Sequence, residues 1–274
     1  MKFKLPAFLE KIESPVEGEV ALRKYAANPL AYSGDGSPDL FSVAGNVAGS
    51  EANCVDGNGN RAAIVIGIDE VGRGPLAGPV VACAAVLKSP DALLTLNDSK
   101  KLSRPKREAM FEQVKDACAC YAIASASVEE IDEINILEAD FLAMRRALQA
   151  LGFPGLNEST PEIPIEVKGS FADLATNHQP LTTLIAVDGN LKIRGVPAEK
   201  QMPIVKGDGR IASISAASIL AKVFRDRYMD KLEELYPGYG FEKHAGYGTK
   251  AHLDAIRRQG FTPAHRKTFH PKGL

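Results

Sequence analysis

Two adjacent carboxylates, Asp69 and Glu70, follow an apolar run that is typical of a strand buried on both faces. Because adjacent acids repel each other in a site with little water, they favour a bound cation that neutralises both charges. Carboxylate oxygens are hard ligands and suit Mg²⁺ or Mn²⁺. The pair therefore predicts a divalent-metal site at the end of the first strand.

A glycine-rich turn follows these acids and begins with Gly72, Arg73 and Gly74. The backbone of such a turn can approach a ligand closely, and the arginine adds a planar donor that suits phosphate. The glycine spacing also has some likeness to the fingerprint of nucleotide-cofactor oxidoreductases. The acids would repel a pyrophosphate, and the prolines in the turn favour a second strand where that fingerprint needs a helix. The turn is therefore predicted to contact a sugar-phosphate chain.

Two later apolar runs, 183–188 and 202–208, each end in an aspartate, Asp188 and Asp208. Acids that close separate strands of an open α/β sheet can converge, because ligands bind beyond the carboxyl ends of the strands. Two Mg²⁺ ions about 4 Å apart in such a cluster can hold the attacking and leaving oxygens of a phosphoryl displacement. Each aspartate alone is equally compatible with a plain turn or a helix N-terminus. The four acids together favour metal-assisted phosphodiester cleavage.

The charge distribution favours a polyanionic substrate. The formal net charge is −1, but residues 201–274 carry 13 Lys and Arg against 7 Asp and Glu. A basic C-terminal quarter beside an acidic, metal-ready centre fits a nucleic acid. The basic residues could instead form solvated helix faces, or the chain could be a nucleic-acid-binding module without catalytic activity. The second alternative leaves the acids unexplained, and metal-dependent cleavage would exclude it.

The cysteines and the N-terminal residues favour a cytoplasmic protein. The cysteines form no Cys-x-x-Cys pair, which is typical of reduced thiols, and the histidines lack zinc-finger spacing. No apolar run has the length of a membrane span or of a signal-peptide core. We therefore expect no membrane association.

The chain divides into an extension and a catalytic domain. Residues 1–60 are predicted to be a flexible N-terminal extension, because 34–60 are dense in Gly, Asn, Asp and Ser, although 5–30 could hold a short helix. Residues 61–274 are predicted to form one α/β domain. Within it, 153–181 has the composition of a loop or insertion. Strands are expected at 62–69, 79–88, 119–128, 183–188 and 202–208, and helices at 104–117, 134–151, 213–235 and 251–259.

From about residue 64 onward, the chain resembles the ribonuclease HII (type 2 ribonuclease H) family. Seven blocks carry the resemblance in order: GIDEVGRGPLAGP at 67–79, DSKKL at 98–102, NIL at 135–137, VDG at 187–189, KGD at 206–208, AASILAKV at 216–223 with Arg225 and Asp226, and GYGT at 246–249 with His252. The resemblance implies a ribonuclease H-like mixed β-sheet flanked by helices, with a small helical C-terminal part.

The resemblance also implies the activity. The family hydrolyses the RNA strand of RNA–DNA hybrids and cuts 5′ of ribonucleotides embedded in duplex DNA, with two metal ions, leaving 5′-phosphate and 3′-hydroxyl ends. This implies a role in ribonucleotide removal during DNA replication and repair. A monomer is expected. The preferred metal, Mn²⁺ or Mg²⁺, and binding to a replication clamp stay open.

The resemblance assigns roles to individual residues. It makes the four acids Asp69, Glu70, Asp188 and Asp208 the catalytic metal ligands. It makes Gly72, Arg73 and Gly74 the readers of the 2′-hydroxyl, and Tyr247 the residue that senses the RNA–DNA junction. From its residue type alone, Tyr247 could also be a core aromatic. Lys100, Lys101 and, with less support from its apolar neighbours, Lys222 are candidates for phosphate contacts.

Overall fold

In the part of the chain that the structure describes, a mixed sheet of six strands lies at the centre. This computed structural model describes residues 7–10, 12–27, 63–89, 91–92, 104–174, 182–271 and 274. The strand order is β4-β3-β2-β1-β5-β6. The strands are β1 (Ala63–Val71), β2 (Val80–Leu87), β3 (Cys118–Ala126), β4 (Glu166–Lys168), β5 (Thr182–Asp188) and β6 (Gln201–Ile204).

Strand β1 separates two kinds of pairing. It runs antiparallel to β2, and the antiparallel pairing continues through β3 to β4. On its other side it runs parallel to β5, which in turn pairs in parallel with β6. The carboxyl ends of β1 and β5 therefore meet at one edge of the sheet, which places Asp69 and Glu70 near Asp188.

Helices cover both faces of the sheet. They are α1 (Ala7–Glu10), α2 (Pro15–Ala27), α3 (Arg104–Ala117), α4 (Val128–Ile134), α5 (Ile136–Ala150), α6 (Ala212–Leu235), α7 (Phe241–His244) and α8 (Lys250–Gln259). Alternate residues of β2 belong to different cores. Val80 and Ala82 pack on the side of α5, whereas Val81 and Cys83 pack on the side of α3 and α6. All of β2 is therefore buried, which explains its unbroken apolar sequence.

Local sequence sets the boundary between α4 and α5. Ser127 and Glu130 form a reciprocal capping box at the start of α4. Asn135 then takes a left-handed φ of 69° and caps α5, its side-chain oxygen accepting from the backbone of Leu137 at 3.0 Å. The single amphipathic helix predicted for 134–151 therefore begins at Ile136, because Asn135 ends one helix and starts the next.

The C-terminal helices α7 and α8 pack around the end of α6. Met229 and Leu232 of α6 are buried with Phe241 of α7 and Ile256 of α8. The predicted mixed sheet flanked by helices, with a small helical C-terminal part, is confirmed. None of the described helices is both long and apolar enough to cross a membrane.

The segment predicted to be a flexible extension contains two helices, α1 and α2. Leu9 of α1 and Leu22 of α2 are buried against β1, β5, β6 and the start of α6. The buried side of α2 also includes Gly18 and Glu19, which give no apolar periodicity, so the sequence pattern is weak there. Residues 28–62 lie outside the described part, and the domain boundary at 60 stays a prediction. The predicted insertion at 153–181 contains β4 and a 3₁₀ turn at Phe171–Leu174.

Candidate active site

Asp69, Glu70 and Asp188 interact at the shared edge of β1 and β5. Ile68 pairs with Val187, so Asp69 and Asp188 are the next residues along two adjacent strands. Asp69 is only 5% exposed. Burial, together with the charges of Glu70 and Asp188, raises the pKa of the Asp69 carboxyl well above its usual range. These carboxylates destabilise one another in the absence of a cation.

The pKa of Glu70 is also raised. Burial is the main cause, and the Asp188 charge adds to it, whereas Arg73 lowers the pKa of the same group. Divalent cations would remove this repulsion, and the oxygen donors are those that Mg²⁺ and Mn²⁺ take. Within the described ranges, however, no three acidic, histidine or cysteine side chains already surround one point with metal-ligand geometry. The donor chemistry of the acids thus fits a hard cation.

Asp208 does not end a strand. β6 ends at Ile204, and Asp208 is buried in a 3₁₀ turn at Gly207–Gly209, just before α6. The prediction of a strand-ending acid was therefore wrong for Asp208, because Lys206 takes a left-handed φ of 57° and ends the extended backbone. The turn is nonetheless joined to β5, since the backbone N–H of Gly207 donates to Asp188 Oδ1 at 2.6 Å.

The glycine-rich turn lies against Tyr247. A Cβ atom on Gly74 would lie 3.4 Å from Cε1 of Tyr247. Leu76 donates its backbone N–H to the carbonyl of Gly246 at 2.8 Å, which fixes the two segments together. Tyr247 is 46% exposed. The side chain is therefore no core aromatic, and its ring is accessible beside Gly74.

A cluster of buried imidazoles supports the backbone of Tyr247. His252 Nδ1 lies 3.0 Å from the Tyr247 carbonyl oxygen, and His252 Nε2 lies 3.1 Å from Nε2 of His265. Burial and the neighbouring His252 lower the pKa of His265 to about 4. Neutral imidazoles therefore hold this segment at physiological pH.

Two buried arginines, Arg225 and Arg266, hold the glycine-rich turn from below. Arg225 donates to the carbonyl oxygens of Pro79 and Ala77 at 3.0 and 3.1 Å. Arg266 donates to Gly72 at 2.5 Å and to Gly78 at 2.7 Å. Gly72 takes a φ of +99°, and a Cβ atom on it would overlap the Arg225 side chain, so only glycine fits.

These two arginines are buried cations that donate their hydrogen bonds to backbone carbonyl oxygens. Burial lowers the pKa of Arg225 to about 10. Burial and the nearby charge of Arg225 lower the pKa of Arg266 to about 9. Both stay charged at neutral pH, so their positive charge lies directly under a turn predicted to meet phosphate. Sequence reasoning gave neither residue a role, although Arg225 stands in one of the matching blocks.

Arg73 lies between a site acid and an acid that sequence reasoning missed. Its guanidinium is 3.6 Å from Glu70 Oε1 and 3.5 Å from Asp140 Oδ2. Asp140 is buried on α5, and its Oδ1 atom has no hydrogen-bond partner. Burial and the Glu70 charge raise the pKa of Asp140 to about 8, although Arg73 opposes the shift. The sequence contained one signal for Asp140, because an acid between Ala139 and Phe141 interrupts the apolar side of the predicted helix.

Of the three lysines predicted to contact phosphate, the structure describes one. Lys100 and Lys101 lie outside the described residues. Lys222 is partly exposed and forms an ion pair with Asp226 one turn further along α6. On α8, Arg257 and Arg258 are exposed, and Arg257 is 2.5 Å from Asp254. Arg258 and the exposed side chain of Arg257, which pairs with Asp254, lie on the same end of α8, and their contact with nucleic acid stays a prediction.

The chain is similar in sequence and in structure to ribonucleases H of type 2. The sequence pattern of the Ribonuclease HII family matches residues 66–272. Ribonuclease HII from Shouchella clausii is 46% identical over 207 residues, covering 76% of this chain and 68% of the relative. Ribonuclease HII from Delftia acidovorans is 47% identical over 209 residues, covering 76% of each chain. The crystal structure of ribonuclease H2 from Pyrococcus horikoshii is similar, with 26% identity, a TM-score of 0.54, and coverage of 76% of this chain and 94% of that one.

Proposed function

Because this chain belongs to the ribonuclease HII family, we propose that it cuts duplex DNA on the 5′ side of embedded ribonucleotides. The family match makes the chain a ribonuclease that depends on divalent metal and hydrolyses RNA in RNA–DNA hybrids, and the sheet is ribonuclease H-like. Cleavage at a single ribonucleotide is a more specific activity than hydrolysis of a hybrid, because the site must distinguish one ribose from the deoxyriboses next to it.

The position of Tyr247 beside Gly74 carries this proposal. Only the 2′-hydroxyl distinguishes RNA from DNA at one nucleotide, and a glycine turn can bring backbone groups close to it. An exposed ring next to that turn can pack on the following deoxyribose, where an additional hydroxyl would be crowded. The turn and the ring together would therefore recognise a ribonucleotide followed by DNA.

The four acids would bind the metal ions in this reaction. Asp69, Glu70 and Asp188 interact electrostatically, and Asp208 stands in the turn that donates to Asp188. We propose two ions, Mg²⁺ or Mn²⁺. When bound, they supply the charge that activates a water molecule and stabilises the leaving 3′-oxygen, so the products carry 5′-phosphate and 3′-hydroxyl ends. Arg73 would orient the scissile strand next to the acids, because its guanidinium already lies beside Glu70.

The test compares three duplexes: DNA with a single ribonucleotide, an RNA–DNA hybrid, and DNA alone, each with Mg²⁺ and with Mn²⁺. The wild type should cut the first two and leave the third intact. Tyr247→Ala should lose about 100-fold on the single ribonucleotide, because ring packing aligns the scissile phosphate, and should lose less on the hybrid. Tyr247→Phe, which keeps the ring, serves as the matched control. Equal losses of the alanine variant on both substrates would overturn the junction-sensing role.

The cellular role follows from this specificity. An enzyme that cuts at single ribonucleotides would serve ribonucleotide removal in DNA replication and repair. We propose that it acts in the cytoplasm and as a monomer. Sedimentation of the purified chain, with and without duplex, would test the monomer.

A further inference from the structure

Helix α2 lies outside the family match, which begins at residue 66, but it packs against β1, β5 and the start of α6, the elements around the candidate active site. Leu22 and Ala26 of α2 are buried with Val65 of β1 and with Ile211 and Ile214 at the start of α6. A Cβ atom on Gly18 would overlap the carbonyl of Arg210, so α2 touches the backbone that leads into α6. The additional helix is part of the same core as the acid-bearing strands.

Glu19 of α2 provides the N-terminal cap of α6 from a separate helix. Its Oε2 accepts from the backbone N–H of Ser213 at 3.2 Å and from the Ser213 hydroxyl at 2.7 Å. The residue at the N-cap position, Ile211, has no side chain that could accept these bonds. Glu19 is fully buried, and a carboxylate at a helix N-terminus is favoured by the unpaired N–H groups there. Glu19 therefore caps the N-terminus of α6, which has no capping side chain of its own.

Arg23 fixes the Glu19 carboxylate in place. Its Nε lies 3.2 Å from Glu19 Oε1, and its Nη2 donates to the carbonyl of Leu87 at 3.0 Å. Leu87 is the last residue of β2. The contacts of Glu19 and Arg23 thus connect the end of β2 to the start of α6.

The start of α6 is in turn connected to the predicted metal ligands. Ile211 donates its N–H to the carbonyl of Gly207 at 2.8 Å, within the turn that contains Asp208. Gly207 itself donates to Asp188, and Ser218 of α6 hydrogen-bonds to Asp69. α6 also lies directly on β1, because a Cβ atom on Gly67 would overlap the backbone of Ser213. A shift of the first turns of α6 would therefore displace acids on three separate elements.

We propose that Glu19 is a positioning residue of the divalent-cation site, acting through the N-terminus of α6. The inference rests on the proposed metal ligands and adds a contribution from a helix outside the family match. Loss of the cap would leave two donors of Ser213 without a partner and loosen the turn that holds Asp208. Cation binding and turnover should then suffer, whereas substrate affinity should not, because α6 holds the glycine-rich turn through Arg225, about three helical turns beyond Ser213.

The experiment uses the full chain with Glu19→Ala, Glu19→Gln and, as the control, Glu13→Gln, which removes an exposed charge just before the same helix. Mn²⁺ affinity is measured by calorimetry, and kcat and KM are measured on an RNA–DNA hybrid. Thermal unfolding in EDTA identifies a temperature at which every variant is folded. Glu19→Ala should bind Mn²⁺ about tenfold more weakly, with a lower kcat and an unchanged KM. Glu19→Gln keeps an acceptor for Ser213 and should retain most of the affinity.

Three results would overturn the inference: Mn²⁺ affinity and kcat of a folded Glu19→Ala variant equal to those of the wild type, equal losses in the alanine and glutamine variants, or the same loss in Glu13→Gln. If Glu19→Ala does not fold, the same measurements are made on Ser213→Ala, which removes only the hydroxyl contact with Glu19. Weaker Mn²⁺ binding by this variant would support the inference, and unchanged Mn²⁺ binding would overturn it. A wild type that lacks metal-dependent cleavage would instead refute the proposed function.

Discussion

Replacing Arg266 by methionine tests whether the buried arginines hold the glycine-rich turn in place. The methionine fills most of the same volume but donates no hydrogen bond. In the structure, Arg266 is 1% exposed and makes four hydrogen bonds to backbone carbonyl oxygens, two of them to Gly78. The other two reach Arg73 at 3.0 Å and Gly72 at 2.5 Å. The variant therefore leaves the carbonyl groups of three residues without these donors.

The expected magnitude follows from these contacts. An unsatisfied buried acceptor costs about 1–3 kcal/mol, so the carbonyl groups of Gly72 and Gly78 together cost about 2–6 kcal/mol, and the partly buried carbonyl of Arg73 adds less. Removal of one of two neighbouring positive charges relieves the repulsion between Arg225 and Arg266, which the lowered pKa of Arg266 indicates, and offsets part of this cost. We expect a net loss of about 4 kcal/mol in the free energy of unfolding, a large share of the about 5–15 kcal/mol typical of a domain. Arg266→Lys keeps a charged donor and should lose about half as much.

The assay is urea denaturation of the metal-free protein, followed by cleavage of single-ribonucleotide DNA under conditions in which each variant is folded. Arg258→Met, on the exposed side of α8, is the control and should leave the unfolding free energy unchanged. The folded Arg266→Met variant should also cut more slowly, since Gly72 and Arg73 lose their support. If the methionine variant is as stable as the wild type, the repulsion between Arg225 and Arg266 costs as much free energy as the hydrogen bonds of Arg266 contribute. The conclusion that Arg266 holds the glycine-rich turn in place would then be refuted.

Three other perturbations have clear expected outcomes. The variant Asp69→Asn should cleave its substrate more slowly by orders of magnitude, because it loses a charged metal ligand. It should also unfold at a higher temperature in EDTA, because it removes a buried acid that is repelled by two neighbouring acids. A lower unfolding temperature would contradict this. The pKa of His265 is lowered from an unfolded value near 6.5 to about 4, so the unfolded chain binds the proton first and the free energy of unfolding should fall as pH drops from 6.5 towards 4. Unfolding at several pH values should show this slope in the wild type and a smaller one in His265→Asn. Neutralising Arg257 and Arg258 together should reduce the slope of log affinity against log salt by about 1–2, and an unchanged slope would place the basic surface elsewhere.

The sequence predicted the sheet and three of its acids well, because the signals there are local. A strand buried on both faces has an unbroken apolar sequence, so the positions of such strands could be predicted, whereas the pairing of β1 with β5 is seen in the structure. Asp69, Glu70 and Asp188 are therefore placed by strand ends that hydrophobicity alone indicates. Their roles as ligands stay predictions, whereas their proximity is a feature of the structure.

The features that the sequence did not predict depend on contacts between distant residues. Arg266 and Glu19 are polar residues whose partners lie far away along the chain, and no periodicity marks such pairs. Asp140 interrupts an apolar helix side, which is a signal, but only the structure shows that it faces Arg73. The position of Asp208 was missed because one left-handed residue, Lys206, ends β6 early.

The bonds from Arg266 to the glycine-rich turn also set the order in which this part of the molecule can be completed during synthesis. Arg266 pairs with Gly72 across a separation of 194 residues, so the turn leaves the ribosome long before its partner has been translated. Until then the carbonyl groups of Gly72 and Gly78 lack the donors that Arg266 supplies in the folded protein. Since contacts of such high sequence separation form slowly, completion of this turn belongs to the last steps of folding. The glycine-rich turn therefore reaches its final conformation only after Arg266 has been synthesised and has folded back onto it.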